Sequence, residues 1–327
     1  MTNTRARIAT ICQGGVYFPT IAQNRAAVLQ RLEMALKYQP DLVCLPETFT
    51  TPSVPGELSS LVESVPGPTV DAVSSLARQH HCSIICPIFT QREGAYWNSA
   101  VVIGRDGGLV GIYDKMHPVT SSSDYTRMEN GVTPGSAAPV FDLDFGRIGV
   151  QICFDIQFPE GWAALAQGGA RIIFWPSAYN GGFPLQAYAW LHHTYVISAV
   201  NSSKSRIIDP CGSILAETDA LLNVLVRDIN LDYAVCHYDF NYNIPERIQA
   251  AYAGRVEVRT RGGDASHFVV EPVDPSLTIA QLQREIGFVT TQEYVHHHQA
   301  AYPILRAGLT PPAQVAAHGE RPMYQKG

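Results

Sequence analysis

Short apolar runs alternate along this chain with stretches whose apolar residues recur at helical spacing, and that alternation predicts an α/β protein. Residues 7–11 form an apolar run that exits at Gln13-Gly14-Gly15, a strand ending in a turn. Between 24 and 38 the apolar positions Ala27, Val28, Leu32, Ala35 and Leu36 fall on one helical face, and Pro40-Asp41 restarts the chain as a strand. A second helix over 70–80 follows Gly67-Pro68-Thr69, and a strand over 83–88 comes next. Residues 98–103 and 109–113 flank Gly104-Arg105-Asp106-Gly107-Gly108, a hairpin signal. Residues 120–139 show no apolar period, and a loop of that length in a compact domain is usually functional.

The alternation resumes with a strand over 148–152 and a helix opened by Pro159 and closed by Gly168-Gly169. A strand over 172–175, a loop over 176–182 and a helix over 184–193 follow. Strands are expected over 195–200, 206–208, 214–217 and 224–229, with Asp209-Pro210-Cys211-Gly212 as a turn. Beyond residue 232 the pattern thins. Residues 254–258 and 267–271 suit short strands, 277–284 and 291–305 suit helices, and no compact core is evident. Leu277, Ile279, Leu282, Ile286, Phe288, Tyr294 and Leu305 need burial somewhere. The chain beyond about 310 is expected to wander.

Composition narrows the class. The 327 residues are 46% hydrophobic and 16% charged, which suits a large buried interior, and the net charge of −6 argues against a nucleic-acid partner. Seven cysteines, at 12, 44, 82, 86, 153, 211 and 236, make an odd number without disulfide-framework spacing. The apolar run over 8–11 is too short for a secretion signal, and no run approaches a membrane span. A reduced, cytoplasmic protein with no membrane partner is the expectation.

Three strand ends carry chemistry. Cys153 falls where the 148–152 strand turns into a helix, surroundings that should lower a thiol pKa. Leu42-Val43-Cys44-Leu45-Pro46-Glu47 delivers a carboxylate, and Val110-Gly111-Ile112-Tyr113-Asp114-Lys115 delivers a lysine. Reactive groups gather beyond the carboxyl ends of strands in parallel α/β sheets, so these three suggest one site. Cys82 and Cys86 flank an apolar strand and read as buried thiols, and His296-His297-His298 reads as a solvated helical face. Neither suggests a metal site, and no cofactor is expected.

The order Glu, Lys, Cys, with the words Leu45-Pro46-Glu47, Asp114-Lys115-Met116-His117 and Cys153-Phe154-Asp155-Ile156-Gln157-Phe158-Pro159-Glu160, resembles the nitrilase or carbon–nitrogen hydrolase superfamily. The resemblance covers roughly residues 5–232. It implies a four-layer α-β-β-α sandwich over 1–232, with 233–327 as a C-terminal extension that reads as an oligomerisation arm. A homodimer or larger even-numbered assembly is the corresponding expectation.

It also implies roles. Cys153 would be the nucleophile that forms a thioester, Glu47 the general base, and Lys115 with the Phe154 N–H the oxyanion donors. Glu129 matches the family's second glutamate because Thr133-Pro134-Gly135 follows it, and Asp124 is the only rival acid in that loop. Cys153-Phe154-Asp155 is similar to the amidase and carbamoylase branches, where true nitrilases show Cys-Trp-Glu. Ile156 and Gln157 stand where an arginine often binds a substrate carboxylate, and Ala189-Trp190-Leu191-His192-His193 departs from the usual Arg-Ala-x-Glu-Asn. A neutral amide is therefore the expected small-molecule substrate, bound among Phe154, His117, Tyr179, Phe183 and Trp190. A nitrile or N-carbamoyl substrate for the same residues, or a silent scaffold of the same fold, remain the alternatives.

Overall fold

A computed structural model describes residues 4–239, 241–260 and 266–313. The chain forms two compact units, Met1–Leu231 and Asp232–Gly327. In chain order the first unit contains β1 (Arg5–Ile11), α1 (Ile21–Leu36), β2 (Leu42–Cys44), α2 (Pro68–His80), β3 (Ser83–Arg92), β4 (Ala95–Ile103) and β5 (Leu109–Asp114). It continues with β6 (Val140–Leu143), β7 (Gly146–Val150), α3 (Pro159–Gln167), β8 (Ile172–Ser177), α4 (Phe183–His192), β9 (Tyr195–Val200), β10 (Arg206–Ile208), β11 (Ile214–Glu217) and β12 (Val224–Asn230).

These strands build two six-stranded sheets, ordered β12-β1-β2-β3-β4-β5 and β11-β10-β9-β8-β7-β6. Each has a parallel centre, β1-β2-β3 in one and β7-β8-β9 in the other. Strand periodicity assigns the faces. Ala9 and Ile11 of β1 join Val28, Leu32 and Leu36 of α1 and Val70 and Val73 of α2 in one core. The alternate residue Thr10 points the other way, and its hydroxyl donates to the Ser198 carbonyl of β9 at 2.6 Å. Trp162 and Leu165 of α3 and Leu185 and Ala189 of α4 cover the second sheet at Ile173, Trp175 and Val196. The unit is thus the expected α-β-β-α sandwich, two sheets between outer helices. Among the described residues, no helix is long and apolar enough to cross a membrane.

One strand is longer than its apolar run. β3 continues past residue 88 to Arg92 and pairs along its whole length with β4 through a turn at Glu93-Gly94, both with positive φ. Gln91, Arg92 and Tyr96 are not fully buried there, so hydrophobicity alone did not mark this hairpin.

The second unit corrects the expectation that the C-terminal segment lacks a core. Besides β14 (Val256–Thr260), β15 (His267–Pro272), α6 (Ile279–Ile286) and α7 (Thr291–Arg306), it contains β13 (Ala234–His237) and α5 (Ile244–Tyr252). The three strands form an antiparallel sheet, β13-β15-β14. Ile279, Leu282 and Ile286 make one stripe of α6 and pack with Cys236, Ile248, Phe268 and Val270, and Leu277 and Phe288 join them. These apolar residues find burial within their own segment. Tyr294 stacks on His237, whereas Leu305 is 55% exposed. His296 and His297 are exposed on α7. From residue 314 onward the expected wandering tail lies outside the described residues.

A separate core has a measurable signature. Leu282 is fully buried, so Leu282→Ala should cost about 2–5 kcal/mol. Hydrogen exchange should show protection lost in β13 and β15 and retained in β1, β2 and β9. Equal loss in both units would mean that the segment has no stability of its own.

Candidate active site

The three strand ends converge, and a loop after β5 joins them. Pro46 has no N–H to continue the ladder, so pairing stops after the Leu45 N–H donates to Ile85. Thr48 then adopts a left-handed φ of 40°. The Asn201 side chain donates to the Glu47 carbonyl at 2.9 Å, and Gln13 donates to that of Phe49 at 3.1 Å. The Glu47 backbone is pinned from two directions.

Lys115 follows β5 directly. Its N–H donates to the Asn98 carbonyl and its carbonyl accepts the Gly135 N–H. A Cβ on residue 135 would lie 2.1 Å from the Asp114 carbonyl oxygen, so only glycine lets the long loop return this close to β5. In that loop Glu129 sits at a φ of 37°, and its N–H donates to the Val119 carbonyl. Cys153 opens a 3-10 turn, Cys153–Gln157, inserted between β7 and α3, with a φ of 47°. The Trp175 indole donates to its carbonyl at 3.0 Å. Three candidate positions thus lie at or beside left-handed non-glycine residues, a conformation that costs free energy and collects at functional sites.

The side chains meet around one ammonium. Lys115 Nζ donates to Glu47 Oε1 at 2.9 Å and to Glu129 Oε1. Glu47 Oε2 accepts the Ala178 N–H at 2.9 Å, at the end of β8. Asn98, in β4, donates from Nδ2 to Glu47 Oε1 at 2.9 Å and to Glu129 Oε2 at 3.0 Å. Burial alone would lower the Lys115 pKa, but the charges of Glu47 and Glu129 outweigh it and hold the ammonium above the ordinary lysine value.

The thiol differs from expectation. Cys153 is 8% exposed, and its pKa is pushed up to about 12. Burial is the largest cause and the Glu47 charge the next; Lys115, the Ser177 hydroxyl and the Ala178 N–H pull the other way and do not win. The turn does not deliver a preformed thiolate, because the same fold that brings Lys115 near also removes water and brings a carboxylate. Burial and the Glu47 charge both favour the neutral thiol over the thiolate.

Asp155 holds the turn together. Its Oδ2 accepts the Ile152 N–H at 2.8 Å and the Tyr113 hydroxyl at 2.6 Å, and its Oδ1 accepts the His117 N–H at 2.9 Å. His117 Nδ1 is 2.8 Å from the same Oδ1, and its ring stacks on Phe158 at 3.8 Å. Phe154 stands edge-on to Phe158. Tyr179 is edge-on to Trp175, and burial raises its pKa. Phe154 adjoins Cys153 in the turn and His117 follows Lys115 by two residues, whereas Trp190 is exposed on α4 against the turn at Gly212. A cleft of about 600 Å³ bounded by Arg31, Tyr38, Leu222 and Asp228 contains none of the candidate residues. Chemistry, not size, marks the site.

Sequence reasoning missed Asn98, Ser177 and Ala178 and gave Asp155 no role. The signal for Asn98 was a polar residue heading an apolar strand run, Asn98-Ser99-Ala100-Val101-Val102-Ile103, since a buried amide needs partners. Among the described residues, no group of three or more His, Cys, Asp or Glu side chains could hold a metal ion.

A buried acid–lysine–thiol cluster at the strand ends of a double-sheet sandwich is the arrangement of an enzyme. The profile of the carbon-nitrogen hydrolase family matches residues 8–235, and the chain belongs to that family. It is similar to the omega-amidase NIT2 of Xenopus tropicalis, 25% identical over 237 residues that cover 66% of this chain and 86% of that protein. It is also similar to the beta-ureidopropionase of Arabidopsis thaliana, 28% identical over 221 residues, 62% of this chain and 54% of that one. Among solved structures, an amidase of Nesterenkonia sp. AN1 shares the fold with a TM-score of 0.60 and 20% identity, covering 69% of this chain and 90% of its own. That structure carries the acetamide moiety of fluoroacetamide added covalently at its active-site cysteine.

The raised thiol pKa makes a direct prediction. Alkylation of Cys153 by iodoacetamide, followed by mass spectrometry, should rise about tenfold per unit between about pH 7 and 9, because each unit increases the thiolate fraction tenfold. A rate already flat across that range would show a thiolate formed at neutral pH.

Proposed function

We propose that this carbon–nitrogen hydrolase cleaves a neutral, non-peptide amide through a thioester on Cys153. The observation that carries the reading is the buried cluster in which Glu47 and Glu129 share Lys115, with the Cys153 thiol in reach of their charges. Glu47 takes the thiol proton as sulfur attacks the carbonyl carbon. Lys115 and the Phe154 N–H stabilise the oxyanion that forms. As the C–N bond breaks, Glu47 returns the proton to the leaving nitrogen, and ammonia or an amine departs. Glu47 then deprotonates a water that attacks the thioester; the acid is released and the thiol restored. Glu129 orients Lys115 and the amide.

The amidase names among the relatives and the Cys153-Phe154-Asp155 sequence support the amide. Asp155 is fully occupied in binding Ile152, Tyr113 and His117, so substrate contacts fall to Phe154, His117 and Tyr179. The beta-ureidopropionase relative supports an N-carbamoyl substrate as the second reading. Seven free, buried cysteines support a reducing, cytoplasmic location. Phe183 and Leu191 on α4, 67% and 57% exposed, support a homodimer or larger even-numbered assembly. A monodisperse monomer in light scattering at micromolar concentration would remove that last proposal.

Ammonia release from a panel of neutral amides, nitriles and carbamoyl compounds tests the substrate class. Cys153→Ala should abolish turnover at a stability cost of about 1–2 kcal/mol, and retained hydrolysis would end the thioester reading. Glu47→Gln keeps the shape but cannot carry a proton, so turnover should fall by roughly 10²–10⁴-fold. Glu129→Gln should acylate readily from an activated ester, which needs no leaving-group protonation, and poorly from the amide. Near-wild-type rates on both would make Glu129 an ordinary loop acid.

A further inference from the structure

Two carboxylates that share one ammonium repel each other, and something neutral must fix their spacing. Asn98 is 1% exposed, and one nitrogen, Nδ2, donates to Glu47 Oε1 at 2.9 Å and to Glu129 Oε2 at 3.0 Å. Lys115 Nζ meets the same Glu47 oxygen and the other Glu129 oxygen. The four side chains close a ring. The Asn98 amide oxygen is buried and has no hydrogen-bond partner among the described residues, so its NH₂ alone places this side chain. The backbone of the same residue accepts the Lys115 N–H, which fixes where the lysine leaves β5. The neighbour Ser99 faces the other way and donates to Asp114 at 2.6 Å, holding β5 from its opposite side.

We infer that Asn98 is a positioning residue for the reaction proposed above, holding Glu47 and Glu129 at a fixed spacing around Lys115 without adding charge. The residue type follows from the chemistry. A cation there would hold both glutamates ionised and weaken Glu47 as a base; an aspartate would add a third negative charge. A serine offers one hydrogen for two acceptors. The asparagine amide gives two donors on one neutral nitrogen.

The test uses the full chain with Asn98→Ala, Asn98→Ser, Asn98→Asp and, in parallel, Cys153→Ala. Rates are scored on a substrate found by the ammonia panel and normalised to the monodisperse protein recovered by gel filtration, which removes unfolded protein from the comparison. Asn98→Ala should lower kcat roughly 10²-fold, the scale of a misplaced reacting group, and change KM by less than about threefold. Asn98→Ser should recover part of the rate, and Asn98→Asp should not.

A packing role gives a different result: a lower Tm, with normalised kcat unchanged in all three variants. That overturns the inference. Should Asn98→Ala not fold, the ordering of Asn98→Ser above Asn98→Asp decides the matter, and equal rates count against it. If Cys153→Ala keeps turning over, the thioester reading fails. If it is dead while the Asn98 variants behave as wild type, only the positioning role fails.

Discussion

The site depends on one buried charge. Lys115 is 1% exposed, and an ammonium withdrawn from water is stable only where anions and good geometry replace its hydration. Glu47 and Glu129 supply the charge, Asn98 and the Ala178 N–H hold the Glu47 carboxylate, and Val119 and Asn98 hold that of Glu129. The left-handed conformations at Thr48, Glu129 and Cys153 follow from this requirement, since each delivers a group to the same small volume. Removing one partner leaves a charge buried and unpaired, so the cluster resists piecemeal change.

That charge balance also explains the thiol. One ammonium faces two carboxylates, so little positive field remains to ionise a third group in a volume that excludes water. The carboxylate that raises the thiol pKa is also the lysine's partner, so the charges of Glu47 and Lys115 and the state of the sulfur are coupled.

Much of this was legible in the sequence where one physical effect dominates. Apolar periodicity located the sandwich elements because their burial is one-sided, as α1 and β1 show with Val28, Leu32, Ala9 and Ile11. Glu47, Lys115 and Cys153 stood out because each ends an apolar run. What stayed hidden depends on several elements at once. The β3–β4 tip is polar and half-exposed, so only pairing marks it. Cys236, Ile248 and Phe268 form a second core from positions scattered over more than one strand and helix, where no local period is strong. The direction of the Cys153 shift turned on burial and on Glu47, neither of which the turn itself reveals. Asn98 only headed an expected strand, because its two acceptors come from other elements.

Asp155 carries a consequence for how such a protein changes its substrates. By binding Ile152, Tyr113 and His117 at once, it clamps the cysteine turn to the strand and loop that carry the lysine. The clamp leaves Phe154, Gln157 and Tyr179 outside it. Side chains at those positions can therefore drift, or be redesigned, while Glu47, Lys115 and Cys153 keep their register. Variation has room at the rim and little at the hub, so the surroundings of the cluster should diverge ahead of the cluster itself.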